Sequence, residues 1–238
     1  MNYRLVVLTS PPGDTLGRTL ASVAEHVHPA PAEVNVVADG YQPTVEAMRE
    51  LGFPGPIPLL ALEPARGFCG ATYASWSVGA LTRLDYTLYL EHDFLFRHPV
   101  DLRELAFVLD TYPQLAQMQF MRDAANEKER AAGGLFESRP GEYQARSTFF
   151  DRFRGDPGKL DTPHDLYERP WLEHHSYLTT NPSLMRSAFM REHPWPDYPE
   201  QCEGRFGIDL VRAGYSFGVW GSGEPWVHHI GERHGFGY

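Results

Sequence analysis

The sequence predicts an α/β fold in which a central, mostly parallel sheet is flanked by helices. In the first ninety residues, short runs rich in Val, Leu, Ile and Tyr alternate with segments of helical periodicity. This alternation is typical of parallel strands joined by helices that cover both faces of a sheet. The length of 238 residues and the 42% hydrophobic content suit one domain with a continuous core. We therefore expect a single domain over residues 1–238, with an N-terminal half (1–122) and a C-terminal half (123–238).

The first half supplies the clearest elements. A first helix is expected after the first strand, because Leu16, Leu20, Val23 and Val27 recur at three- and four-residue spacing. The expected strands cover residues 4–8, 33–38, 57–62 and 86–90, and further helices are expected over 44–51 and 71–84.

The second half is less regular. A helix over residues 101–113 and a strand over 115–122 precede a segment without periodicity, so an irregular insertion is expected at about 123–170. Regular structure is then expected as a strand over 177–180, a helix from about Pro182, a helix over 207–213 and a strand over 216–220.

Composition excludes several classes of protein. The net charge of -10 argues against a general nucleic-acid binder, because such proteins use clustered Lys and Arg. No apolar run approaches the roughly 20 residues of a membrane span, and the first apolar run is too short for a signal peptide. Cys69 and Cys202 have no metal-binding spacing, so reduced thiols are expected. A cytoplasmic location follows from these observations as a prediction.

The stretch "LYLEHDFLF" places Glu91, His92 and Asp93 at the end of an apolar strand. A buried charge is costly unless something pairs with it, so a metal ion or an active site is expected there. Carboxylate oxygens of this kind suit Mg²⁺ or Mn²⁺. In an open parallel sheet, the ends of the preceding strands, at Thr9 and Asp39, should reach the same crevice.

A second group of polar residues lies near the end of the chain, in "EGRFGIDLVRAGY" and "VHHIG". It contains Glu203 and the adjacent pair His228 and His229. Neighbouring residues of a strand point to opposite faces, so at most one histidine would meet a given metal. Two surface histidines are the alternative interpretation.

These motifs occur in an order that resembles GT-A (Rossmann-like) glycosyltransferases, in particular the inverting family-2 enzymes that use nucleotide sugars. The series runs "VVLTSPPGDTLGRTLASV", Asp39, "EPARGFCGATYASWSVGA", "LEHDF", "LTTNPSLMRSAFM", "EGRFGIDLVRAGY" and "VHHIG". It covers nearly the whole chain outside residues 123–170.

The resemblance implies a UDP- or GDP-linked sugar as donor, bound by the N-terminal half. Glu91 would contact the ribose or the donor sugar as the first residue of a DxD motif in the form ExD. The other donor-binding residues would be Thr9, Ser10, Pro11 and Asp39 around the nucleoside, and Arg66, Gly67 and Gly70 near the diphosphate.

The resemblance also implies a metal and a general base. Asp93 and His229 would hold Mn²⁺ or Mg²⁺, with His228 as the alternative ligand. Glu203 would remove the proton of the acceptor hydroxyl, with Asp209 as a competing candidate six residues on.

The C-terminal half would bind an unknown acceptor, for which a glycan, a metabolite and a viral modified DNA base are all open. Trp171 and Trp220 could stack on a sugar, and Asn181 could hydrogen-bond one or act as a helix N-cap. The Arg-bearing stretch "QARSTFFDRFRG" is the one feature that favours DNA. Two other functions also remain, a metal-dependent hydrolase built from Glu91, Asp93 and both histidines, and a non-catalytic nucleotide-sugar binding module.

Overall fold

A computed structural model describes residues 1–11, 15–43, 52–53, 57–124, 127–134, 136–139, 141–147, 170–221 and 224–231. The helix expected over residues 44–51 lies outside these ranges. The described strands are β1 (Tyr3–Thr9), β2 (Val27–His28), β3 (Glu33–Asp39), β4 (Leu59–Leu62), β5 (Tyr86–Glu91), β6 (Phe94–Phe96), β7 (Val100–Asp101), β8 (Leu115–Phe120), β9 (Tyr143–Ser147), β10 (Pro170–His174), β11 (Ser183–Arg186), β12 (Ser216–Trp220) and β13 (Val227–His229). The described helices are α1 (Leu16–His26), α2 (Gly67–Ala80), α3 (Leu102–Thr111), α4 (Glu127–Ala132), α5 (Ser187–Glu192) and α6 (Cys202–Arg212).

Among the described residues, nine strands form one sheet in the order β4-β3-β1-β5-β11-β8-β12-β10-β9. Strands β4, β3, β1 and β5 are parallel to one another. Strand β11 runs antiparallel to both β5 and β8, β12 is parallel to β8, and β10 and β9 complete the sheet antiparallel. The predicted α/β fold with a central sheet is confirmed, and its uninterrupted parallel part lies in the N-terminal half.

Helices cover both faces of this sheet. On one face α1 and α3 contribute Leu20 and Leu105 to a buried cluster that also contains Leu5 and Leu88. On the other face α2, α5 and α6 pack together, with Trp76 at the centre of an aromatic group. The strands are therefore buried on both sides, which explains their continuous apolar sequences.

Two predictions in the C-terminal half are wrong. Residues 177–180 are irregular rather than a strand, and the segment after Pro182 begins as β11 rather than as a helix. The short β11 is buried between β5 and β8, so both of its faces carry buried residues and its pattern cannot be distinguished from that of a helix. Because no helix starts at Pro182, Asn181 is not a helix N-cap.

The segment expected to be irregular contains regular structure where it is described. Helix α4 lies within it, and β9 pairs antiparallel with β10. Arg146 of β9 donates to Glu173 of β10 at 2.6 Å, so this arginine of "QARSTFFDRFRG" is occupied by an ion pair. The rest of that stretch, from residue 148, lies outside the described residues.

Two further expectations can be compared with the structure. Cys69 and Cys202 are both free thiols, as predicted. In the part of the chain that the structure describes, no helix is both long enough and apolar enough to cross a bilayer.

Candidate active site

The ends of three parallel strands bring polar side chains to one edge of the sheet. Thr9 is paired with Ala38, the residue before Asp39, and Leu8 is paired with Glu91. Thr9, Asp39 and Glu91 therefore end neighbouring strands, as the sequence predicts. This edge is the usual ligand crevice of an open parallel sheet.

Asp39 and Thr9 form the floor of the crevice on the β1 and β3 side. Asp39 is 7% exposed, and its Oδ1 accepts a hydrogen bond of 2.6 Å from the backbone N–H of Arg66. The Thr9 hydroxyl is hydrogen-bonded to the hydroxyl of Tyr41. Sequence reasoning missed Tyr41, although its place just after the turn that follows β3 is a usable signal.

Arg66, Gly67 and Gly70 lie at the start of α2, facing the end of β3. Gly67 has a φ of 67°, a left-handed conformation that favours glycine. A Cβ on Gly70 would lie 2.7 Å from the Cβ of Arg66, so glycine allows Arg66 to pack against the first turn. Ser10 is half-buried and Pro11 is exposed, so both remain at the rim of the same edge.

Asp93 and His229 face each other across the turn between β5 and β6. Strand β13 pairs antiparallel with β6 and places His229 opposite Phe94. The Asp93 Oδ2 lies 3.0 Å from the His229 Nε2. Burial acts to raise the pKa of Asp93, but the hydrogen bond and charge of His229, together with His92, lower it overall.

The surroundings of Asp93 fit a divalent cation. Its Oδ1 is buried and has no hydrogen-bond partner among the described residues. A Cβ on Gly231 would come within 2.1 Å of the Asp93 Oδ2, so only glycine leaves room there. The described residues contain no group of three or more His, Cys, Asp or Glu side chains gathered for a metal. Asp93 and His229 thus offer two ligands, and the others would come from water and phosphate.

His228 points away from this pair. Its Nδ1 is hydrogen-bonded to Asp123, consistent with the alternation of side chains along β13. Burial, together with Arg97, lowers the pKa of His228. His92 lies in the turn, where its backbone N–H donates to the carbonyl of Leu8 at 2.9 Å. The four residues proposed for a hydrolase, which include both histidines, are therefore not gathered in one cluster.

Glu91 and Glu203 are connected through Thr180. The Thr180 Oγ1 lies 2.7 Å from Oε1 of Glu91 and 2.7 Å from Oε1 of Glu203. The backbone N–H of Thr180 also donates to the Glu203 Oε1, at 2.5 Å. Glu203 lies in the first turn of α6, so this helix delivers it to the edge where β5 ends.

The hydroxyl of Thr180 has a single hydrogen, and the carboxyl groups of Glu91 and Glu203 both lie within hydrogen-bond distance of it. The hydroxyl can therefore donate fully to only one of the two carboxyl groups at a time. Burial, with the charges of Asp93 and Glu203, raises the pKa of Glu91 to about 8. The hydrogen bond that the Thr180 hydroxyl donates to Glu91 acts in the opposite direction and lowers this pKa, but burial outweighs it.

Asp209 lies on another side of α6. Its Oδ2 accepts a hydrogen bond of 2.5 Å from the hydroxyl of Tyr198, and its side chain is 51% exposed. It makes no described contact with Glu91 or Thr180. The structure thus brings Glu203, rather than Asp209, to the strand-end residues.

The prediction that Trp171 and Trp220 stack on an acceptor is wrong for this structure. The two residues are paired across β10 and β12 and are 0% and 1% exposed. Neither indole has a face open to a sugar, because both belong to the core. Asn181 is half-buried in the loop beside Thr180 and remains near the site.

Comparison with known proteins supports the fold. No family model and no curated protein sequence matches the chain. Among solved structures, S. aureus TarS 1-349 in complex with UDP has a TM-score of 0.61 at 14% identity, over 96% of this chain and 60% of that one. Another structure of S. aureus TarS gives a TM-score of 0.60 at 14% identity, over 97% of this chain and 37% of that one. GalNAc-T7 with UDP, GalNAc and Mn²⁺ gives 0.64 at 15% identity, over 99% and 45%.

These likenesses show that the chain has the GT-A glycosyltransferase fold, as its sequence motifs predict. The chain spans between about a third and two thirds of the lengths of these neighbours. At such low identity the likeness concerns the fold and leaves reaction and substrates to be argued from the site.

Proposed function

We propose that the protein is a metal-dependent, inverting glycosyltransferase that moves a sugar from a UDP- or GDP-linked donor to an acceptor hydroxyl. The observation that carries this proposal is the meeting of two groups at one sheet edge. One is the Asp93 and His229 pair, and the other is the chain from Glu91 through Thr180 to Glu203. A metal site beside a carboxylate base suits a single displacement on a nucleotide sugar.

The nucleoside binds over the ends of β1 and β3 in this proposal. Thr9, Ser10 and Pro11 line the pocket, and the missed residue Tyr41 joins them through its contact with Thr9. Asp39 accepts a hydrogen bond from the Arg66 backbone and thereby holds the start of α2 next to the end of β3. Arg66, Gly67 and Gly70 then receive the diphosphate, where a guanidinium and exposed backbone suit its charge.

Asp93 and His229 would hold Mn²⁺ or Mg²⁺ beside the donor diphosphate. When bound, the ion neutralises negative charge on the departing nucleoside diphosphate. GalNAc-T7 was solved with UDP and Mn²⁺, which supports a divalent metal, and TarS 1-349 was solved with UDP-GlcNAc, which supports a UDP-linked donor. Gly231 keeps the space around Asp93 that the ion needs.

Glu203 acts as the general base. The acceptor oxygen forms a bond to the anomeric carbon while the bond from that carbon to the phosphate oxygen breaks, and the acceptor proton passes to Glu203. Glu91, which accepts a hydrogen bond from the Thr180 hydroxyl, faces the donor sugar from the end of β5. One displacement of this kind inverts the anomeric centre.

The acceptor is an alcohol whose identity is open. Asn181 stays a proposed acceptor contact, because its loop leads directly to Thr180. The net charge of -10 and the pairing of Arg146 with Glu173 favour a glycan or a metabolite over DNA.

Calorimetry with UDP, GDP, CDP and dTDP, each with and without Mn²⁺, tests the proposal. We expect either UDP or GDP to bind, and only when Mn²⁺ is present. Asp93→Ala should abolish this Mn²⁺-dependent binding. Asp209→Ala is the matched control, because it removes a carboxylate that lies outside the site. Absence of nucleotide binding in the parent protein would overturn the proposed function.

A further inference from the structure

Thr180 contacts the two functional carboxyl groups at once, and neither the sequence motifs nor the comparisons assign it a role. We propose that Thr180 is a positioning residue that orients Glu203 for proton removal. This inference rests on the proposed function, in which Glu203 is the base. It concerns the hydroxyl and the backbone N–H of one residue.

Both donors of Thr180 reach the same carboxylate oxygen. The hydroxyl lies 2.7 Å and the backbone nitrogen 2.5 Å from the Glu203 Oε1. A glutamate side chain rotates about three bonds, and two hydrogen bonds to one oxygen restrict that rotation. A restricted carboxylate meets an acceptor hydroxyl in one geometry, which general-base catalysis requires.

The backbone on both sides of these hydrogen bonds is held firmly. Thr180 is 4% exposed, and it leads into β11, where Ser183 pairs with Tyr89 of β5. On the other side, a Cβ on Gly207 of α6 would lie 2.6 Å from the backbone nitrogen of Leu178. Helix α6 and the loop before β11 are therefore in direct contact, so the backbones that carry Thr180 and Glu203 are held close together.

The contact between Thr180 and Glu91 also positions Glu203 relative to the donor-binding residues. Because Thr180 touches Glu91 of β5 as well as Glu203 of α6, it joins the donor side of the crevice to the base. The base is thus fixed relative to the strand end that carries the donor-binding residues. Loss of the threonine hydroxyl removes this connection but leaves the backbone hydrogen bond in place.

Thr180→Val and Thr180→Ser form the test, because valine keeps the shape without the hydroxyl and serine keeps the hydroxyl. Thr111→Val is the matched control, since Thr111 is exposed at the end of α3 and its hydroxyl bonds only the carbonyl of Phe107 among described partners. The measurements are kcat and KM for Mn²⁺-dependent hydrolysis of UDP-GlcNAc, UDP-glucose and GDP-mannose, with water as acceptor. Urea unfolding of each variant shows whether it remains folded.

We expect Thr180→Val to lower kcat about 10- to 100-fold with KM changed less than about threefold, on the scale of a misplaced base. Thr180→Ser should keep kcat within about threefold of the parent, as should Thr111→Val. An unchanged kcat in Thr180→Val overturns the positioning role while the proposed function stands. An equal loss in Thr180→Ser also overturns it, because the loss then does not depend on the hydroxyl. If the parent neither hydrolyses any of the three donors nor binds nucleotide, the proposed function itself is wrong.

Discussion

Gly231 lies so close to Asp93 that a single added methyl group would overlap the carboxylate, coming within 2.1 Å of Oδ2. The same carboxylate contacts His229 through Oδ2, and its buried Oδ1 has no hydrogen-bond partner within the described ranges of the chain. Gly231 therefore belongs to the candidate metal site, because its missing side chain leaves the space that the Asp93 carboxylate occupies.

Gly231→Ala should weaken Mn²⁺-dependent nucleotide binding by at least about tenfold. The added Cβ must displace the Asp93 side chain from its contact with His229. Calorimetry of UDP or GDP with Mn²⁺ measures the change. Gly17→Ala is the control, because nothing lies within 4 Å of a Cβ at that exposed position of α1 and the substitution favours the helix. Equal affinities of Gly231→Ala and the parent would contradict the assigned metal site.

Glu203→Gln should lower turnover at least about 100-fold without weakening nucleotide binding. An amide keeps the shape of the side chain but cannot accept the acceptor proton. Donor hydrolysis with Mn²⁺ provides the rate, and calorimetry provides the affinity. Asp209→Asn is expected to stay within about threefold of the parent, because its carboxylate is half-exposed and bonded to Tyr198. A larger loss of turnover in Asp209→Asn than in Glu203→Gln would show that Asp209, and not Glu203, is the general base.

His174 should make the free energy of unfolding depend on pH between about 8 and 5. Burial, with the nearby charges of His175 and Arg139, lowers the pKa of His174 from 6.5 to about 3 in the folded protein. The unfolded chain therefore binds a proton that the folded protein excludes, so stability is lost as the pH falls below 6.5. The loss should reach about 2 kcal/mol at pH 5 relative to pH 8.

Urea unfolding at several pH values measures this dependence. His174→Gln should reduce the slope, because glutamine has no proton to gain and can still meet Gln119, the partner of the His174 ring. His28→Gln changes an exposed histidine and should leave the slope as it is in the parent. Parallel curves for the parent and His174→Gln would show that another group carries the pH dependence.

Trp220→Ala should destabilise the protein by about 3 to 5 kcal/mol, as expected when a fully buried indole is removed. Trp171→Ala should have a similar effect, since the two residues are paired across neighbouring strands. Urea unfolding gives the values, and Leu81→Ala, at a position 80% exposed, should change stability by less than about 0.5 kcal/mol. Full stability of Trp220→Ala together with a loss of acceptor binding would restore the acceptor role that the burial argues against.

The parallel half of the fold was predictable because its signal is local. Strands β1, β3 and β5 begin and end within one residue of the predicted ranges, since strands buried on both faces read as continuous apolar runs. Helix α2 begins four residues before the predicted start, because Gly67 and Gly70 are poor helix formers and lower the local propensity. Their place in the first turn depends on contacts with Arg66 and Asp39 rather than on propensity.

The second half depends on contacts between distant residues. Strand β9 carries Gln144 and Arg146, which look like loop residues until Glu173 of β10 pairs with the arginine. Thr180 lies in the motif "LTTNPSLMRSAFM", but its role was not predictable, because its partners Glu91 and Glu203 are 89 and 23 positions away. Asp93, His229 and Glu203 were found through the order of motifs, and the structure brings them to one sheet edge. Their roles, the donor and a cytoplasmic location stay predictions.

Strand β11 has a further consequence for the two halves of the chain. It comes from the C-terminal half but is hydrogen-bonded between β5 and β8, which both belong to the N-terminal half. A fragment ending at residue 122 would leave β5 and β8 each with an unpaired edge, and such edges recruit other chains into aggregates. The complementary fragment would carry β11 without either neighbour and β12 with β10 alone. In a chimeric protein, the strand-end crevice and Glu203 would therefore have to be transferred together, as one continuous segment of the chain.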